Sequence, residues 1–182
     1  ITQSSDGLRL GGDGPAVDWV LRMWRFPAEN ELEAIAKRGE FDDRLADATG
    51  KAIFAYHASA TVRDAPGRKL NADIVAELGR VFCEFPGIKG TECVASWLVT
   101  VSDTLEQLGE ILDARGHAGH VRRAHGDLHL RNLVLSGGRP VPFDALEFDE
   151  TLGTCDVLYD LAFMVMDLCH RGLQRQACRT LD

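Results

Sequence analysis

The sequence predicts an α+β fold, short strand pairs set among helices, and three observations carry that expectation. Apolar residues recur at helical spacing through most of residues 29–121, an alternating run with a glycine-rich turn lies near the start, and a short hairpin interrupts the helices near residue 135. The 182 residues, 45% of them apolar, provide for one ordinary core or two small lobes sharing a cleft.

The first expected element is a hairpin over residues 8–23. GLRL leads into the turn GGDGP, and VDWVLRM follows in strict alternation, with Val17, Trp19, Leu21 and Met23 on one face and Asp18, Val20 and Arg22 on the other. Gly11, Gly12 and Gly14 belong to a turn, because neither phosphate-binding glycine pattern is present and no helix follows directly. ENELEAIAKRGE (29–40) is a short helix with Leu32, Ile35 and Ala36 on its apolar face, and a second helix covers about residues 42–58. TVRDAPGRK and EFPGIKGTE break as loops. Residues 93–114 place Val94, Trp97, Leu98, Val101, Leu105, Leu108 and Leu112 on one stripe, the pattern of a core helix. LVL, the turn Gly137-Gly138 and PVPFDALEF form the late hairpin. From Cys155 a helix turns Val157, Leu158, Leu161, Ala162, Val165 and Leu168 toward a core.

Charge and composition exclude some functions. Twenty Lys and Arg against 28 Asp and Glu give a net charge of −8 with no basic stripe, which weighs against a nucleic-acid partner. The richest apolar run, VLYDLAFMVM, is interrupted by Asp160, so no membrane span is expected, and the start does not read as a signal peptide. Five cysteines, without a C-x-x-C pair and in or beside apolar-periodic segments, read as reduced core thiols of a cytoplasmic protein. The first residue is Ile and both ends fall in continuing elements, the look of a fragment.

Chemistry concentrates between residues 125 and 160. HGDLHLRN (125–132) sets a carboxylate, Asp127, five residues before an amide, Asn132, and Asp144 follows twelve residues later at the end of a strand that the Gly137-Gly138 turn folds back. Asn132 and Asp144 are hard oxygen donors suited to Mg²⁺, leaving Asp127 to accept a proton from a hydroxyl. Glu147 and Asp149 compete with Asp144 for that position. Asp156 and Asp160 lie four apart on an apolar helix, where an unpaired carboxylate is costly. Asp156 reads as a helix N-cap. His57 reads as a hydrogen-bonded core histidine, His117 and His120 as solvated, and Trp19, Trp24 and Trp97 as core or interface aromatics.

These residues resemble the aminoglycoside phosphotransferase-like family of the protein-kinase-like fold. HGDLHLRN is similar to its catalytic loop, PFDALEF to its metal-binding strand end and DVLYDLAF to the D-x-x-x-D-L-A helix that follows. The resemblance implies a bilobal fold, with a truncated N-terminal sheet lobe over residues 1–57 and a mainly helical, incomplete C-terminal lobe over residues 58–182. It implies ATP and Mg²⁺ as cofactors and transfer of the γ-phosphoryl group to a small hydroxyl-bearing substrate. Asp127 would orient or deprotonate the hydroxyl, His125 would brace the loop, and Asn132 and Asp144 would hold Mg²⁺ against the phosphates. Asp160 would accept backbone N–H groups of that loop. Upstream, VLRM resembles the strand bearing the phosphate-pairing lysine, so Val20 implies an adenine-pocket floor and Arg22 the phosphate contact, with Arg25 as the alternative and Glu31 or Glu33 as its carboxylate partner. Within the family, VDWVLRM and HGDLHLRN look most like an uncharacterised bacterial subgroup often fused to a P-loop ATPase-like domain, although no Walker motif occurs here.

Two rival readings remain at this level. His125, Asp127 and His129 form an H-x-x-x-H pattern that suits a zinc hydrolase. The absence of a glycine-rich nucleotide loop, with Arg22 in the lysine position, instead suits a kinase-fold module that binds without catalysing.

Overall fold

The computed structural model describes residues 1–22, 25–84, 91–148 and 150–182. Its elements are β1 (Thr2–Ser4), β2 (Gly7–Arg9), α1 (Leu32–Lys37), α2 (Asp43–Ser59), α3 (Gly67–Glu84), α4 (Thr91–His117), β3 (Val121–Arg123), β4 (Leu133–Ser136), β5 (Arg139–Pro142), β6 (Thr154–Asp156), α5 (Val157–His170) and α6 (Gln174–Leu181). The class is α+β. All three sheets are antiparallel pairs, β1 with β2, β3 with β6, and β4 with β5.

The core sits where α1, α2, α5, α6 and the 128–133 segment meet. Leu32 and Ile35, Phe41, Ala46 and Ile53, Leu128, Leu130 and Leu133, Met164 and Leu168, and Ala177 form one buried cluster. It draws on residues either side of position 57. Each fully buried Leu contributes about 1.5–3 kcal/mol relative to an exposed one, so this cluster is the main source of stability. Asp42 caps α2 by accepting from the Leu45 N–H at 2.8 Å, which fixes where that helix begins. The Gly137-Gly138 turn has φ of 56° and 76°, the paired positive values that a two-residue hairpin of this hand requires, so Ser136 pairs directly with Arg139.

A close helix contact joins α2 and α6. A Cβ on Gly50 would lie 2.5 Å from the Thr180 carbonyl oxygen, and Arg175 and Arg179 of α6 pair with Asp43 and Asp47 of α2 on the rim of the same contact. Gly50→Ala is therefore expected to push α6 outward and cost about 1–3 kcal/mol, read from the urea midpoint; an unchanged midpoint would contradict this packing.

Five expectations are corrected. The N-terminal hairpin spans residues 2–9 and turns at Ser5 and Asp6, not at GGDGP. Residues 15–17 run along the other side of β1, where Gln3 N–H donates to Pro15 O and Val17 N–H to Ile1 O. Asp18 still meets Ile1, but residues 19–22 join no strand among the described residues, and Trp19 and Leu21 are 85% and 82% exposed. Trp19 is thus not a core aromatic; Met23 and Trp24 lie outside the described residues.

The 91–117 helix is not a core helix either. α4 pairs with α3 as an α-hairpin, contributes nothing to the buried cluster and leaves Trp97, Val99, Leu108 and Ile111 exposed. The loop expected at its start lies largely outside the described residues. On α5 the buried face is turned from the expected one: Asp160, Met164 and Leu168 point inward, with Leu161 and Val165 beside them, while Leu158 is 50% exposed. Of the cysteines only Cys155 is buried, where burial raises its thiol pKa well above the usual range; Cys83, Cys93, Cys169 and Cys178 are exposed, and all five are unpaired.

Candidate functional site

The 125–132 loop connects β3 to β4 and is held from below by α5. Asp160, completely buried, accepts the His125 N–H on Oδ2 and the Gly126 N–H on Oδ1, both at 2.8 Å. One buried carboxylate thereby satisfies two successive amides of a turn that has no ladder of its own. Gly126 takes φ of 83°, and a Cβ there would lie 2.9 Å from the Leu152 carbonyl oxygen, so glycine alone fits.

His125 is fully buried and bridges this loop to the segment after β5. Its Nε2–H donates to the Phe143 carbonyl at 2.8 Å, and Nδ1 accepts the Asp127 N–H at 3.4 Å. Two backbone bonds complete the join: Phe143 N–H donates to Asn132 O, and Leu146 N–H to His125 O. Asp144 stands between those tied residues, exposed, at φ of 60°. It is the one non-glycine residue with positive φ among those described, a conformation that costs Asp less than most residues yet still needs support.

Asn132 is buried, and its amide N–H groups donate to Asp127 O at 2.8 Å and to Asp127 Oδ2 at 3.1 Å. Asp127 is thus fixed through both its backbone and one carboxylate oxygen, while its side chain stays 41% exposed. His129 lies 3.4 Å from the other carboxylate oxygen, and its Nδ1 accepts the Arg131 N–H, which leaves the ring proton on Nε2, toward Asp127. The sequence motif accordingly closes into one connected unit: Asp160 sets the loop, His125 couples it to the Asp144 segment and Asn132 aims Asp127.

For a divalent cation the available donors are hard oxygens. Asn132 spends its N–H groups on Asp127 and leaves its amide oxygen outside those bonds, and Asp144 carries a carboxylate that receives no hydrogen bond from a described residue. That donor set fits Mg²⁺, which takes few protein ligands and completes its shell with water and phosphate oxygens. No group of three or more His, Cys, Asp or Glu able to hold a metal occurs among the described residues. The zinc-hydrolase set loses His125 in particular, because both its ring nitrogens are engaged. Asp149 lies outside the described residues.

The upstream residues are placed differently from expectation. Val20 is 60% exposed on a segment without regular structure, and Arg22, two residues on, is exposed and not on a strand. Glu33 is committed elsewhere: it accepts from Lys37 at 2.7 Å and from Arg171 at 2.8 Å, while Glu31 starts α1 and bridges to Val134 through its backbone. Arg25 is exposed.

Two supports were not singled out as such in the sequence. Asp167, two turns after Asp160 on α5, accepts the Leu130 N–H at 3.0 Å on Oδ2 and pairs through Oδ1 with Arg171. Asp160 and Asp167 seven apart on one face of an apolar helix were the available signal. His57 of α2 lies 3.1 Å from Asp160 Oδ2. Asp156 caps α5 through the Leu158 N–H and receives both arms of Arg115 at 2.7 Å.

The Lys37 and Arg171 hydrogen bonds outweigh burial and hold the Glu33 pKa below its ordinary 4.5; Arg175 and Arg179 do the same for Asp43 and Asp47, ordinarily 3.8. Carboxylates with a depressed folded pKa stabilise the fold above the ordinary value and lose that contribution as pH falls through the folded one. The melting temperature is expected to stay level from about pH 7 to about pH 5 and to drop below about pH 4. A melting temperature that rose on acidification would contradict these pairs.

Comparison with protein-family models, with curated proteins and with solved structures returns no match. Among the described residues, no helix is long and apolar enough to cross a membrane.

Proposed function

We propose that this chain carries the phosphoryl-transfer site of a small-molecule kinase, with the bilobal protein-kinase-like fold of the aminoglycoside phosphotransferase-like family its motifs resemble. The observation that carries the reading is the fixed relation of Asp127 to Asn132, with the Asp144 segment tied to the same loop through His125. Asp127 is held yet open to solvent on one side, which is what a group that orients a hydroxyl and takes its proton requires. Asn132 Oδ1 and Asp144 would hold Mg²⁺, which would supply positive charge against the phosphates. His125 and Asp160 keep the donors in place, so the chain's part in catalysis is positioning. The five unpaired thiols suit a cytoplasmic protein. A P-loop domain fused to this one in a longer parent protein belongs to the same reading.

A second reading is favoured by a specific observation, the exposure of Val20 and Arg22. With no adenine floor built by those residues, the chain would act as a kinase-fold binding module. Transfer separates the two. With Mg-ATP and pooled alcohols, phosphorus NMR is expected to show a new phosphomonoester signal growing as the γ-phosphate signal declines; slow binding without any phosphomonoester is the outcome for the module.

A further inference from the structure

We propose that His57 is a positioning residue for the 125–132 loop, acting through Asp160. The inference rests on reading that loop as catalytic, although its physical content does not. Asp160 Oδ2 receives two donors, the His125 N–H at 2.8 Å and the His57 ring nitrogen Nε2 at 3.1 Å, while Oδ1 holds the Gly126 N–H. A buried carboxylate with only the two amides could rotate about its side-chain torsions and shorten one bond at the expense of the other. The third donor, arriving from α2, restrains that rotation, and the Cys155 thiol packs against the same carboxylate.

Two further contacts give His57 a fixed base. Arg122, on the strand leading into the loop, donates to the carbonyls of His57, Ala58 and Ala60 at 3.0–3.2 Å, so the end of α2 and the start of the loop are tied to one guanidinium. The His57 side chain is itself only 10% exposed. Its open edge lines a cavity of 760 Å³ with Phe54, Val157 and Leu161. His57 bonds to Asp160 and not to Asp127 or Asn132, so its effect on them passes through Asp160 and the loop backbone.

An ordinary buried histidine would affect only global stability, so the test separates loop order from folding. In the unaltered protein, long-range proton–nitrogen NMR is expected to show a proton on His57 Nε2; a ring carrying its proton on Nδ1 alone would overturn the proposal without any variant. In His57→Phe, which keeps a ring but no donor, the amides of His125 and Gly126 are expected to exchange about ten- to a hundredfold faster than in wild type, with the Leu168 amide of the core changing far less. His57→Gln places an amide N–H at similar reach and is expected to restore most of that protection. Equal acceleration at Leu168 and at the loop, or no rescue by Gln, would overturn it. These readouts need no turnover. If they hold while no phosphoryl transfer is found, the kinase reading fails and the positioning role stands; if transfer is found, kcat in His57→Phe is expected to fall about tenfold with the KM for ATP unchanged.

Discussion

Replacing Asp160 by alanine is expected to cost the protein about 3–9 kcal/mol, because three buried donors lose their acceptor at once and each unsatisfied one costs about 1–3 kcal/mol. The donors are the His125 and Gly126 amides and the His57 ring N–H, all converging on a residue with no exposure to water. Against the roughly 5–15 kcal/mol that holds an ordinary domain, such a loss leaves little or nothing. Asp160→Asn keeps one oxygen and the same shape, so it should recover about half of the loss while turning an amide N–H toward one of the donors. Urea denaturation followed by circular dichroism ranks the three proteins. An alanine variant within about 1 kcal/mol of wild type would mean that the loop finds other partners, and that Asp160 does not hold it.

Asp127→Asn has the larger expected effect on activity. The side chain keeps its size and its oxygen near the Asn132 amide, so the loop should survive and Mg-ATP should still bind. What it loses is the ability to accept a proton, worth about 10²–10⁴ in rate for a positioned base. Phosphoryl transfer is expected to fall by that factor at unchanged KM for ATP, measured by coupled ADP release with an acceptor found in the phosphorus NMR screen. A variant that turns over at the wild-type rate would remove Asp127 from the chemistry.

The helical elements were legible because their signals are local. Asp42 as a cap, the Gly-Gly hairpin turn and the 3.6-residue periods of α2 and α5 depend on residues within a few positions of each other. Asp127, Asn132 and Asp144 were legible from their spacing, and Asp160 from the resemblance of DVLYDLAF to the family's helix. What failed depends on partners that a pattern does not carry. Trp19 to Leu21 continue the alternation yet join no strand, and the α4 stripe packs mainly on α3, so both remain largely exposed. The rotation of α5 has a related cause: two carboxylates, Asp160 and Asp167, turn toward the loop because backbone N–H groups there outweigh the preference of apolar residues for the core. His57 was legible as a hydrogen-bonded histidine, but not its partner 103 residues away.

The central claim is that Asn132 and Asp144 present oxygen donors for a metal-bound nucleotide. Isothermal titration calorimetry with a non-hydrolysable ATP analogue, with and without Mg²⁺, on the wild-type chain and on Asp144→Ala, tests it most directly. The account expects binding that requires Mg²⁺ and that weakens at least about tenfold in the variant, the loss of one charged donor. Binding that ignores both the metal and the substitution, or no binding by the wild-type chain at all, would contradict it.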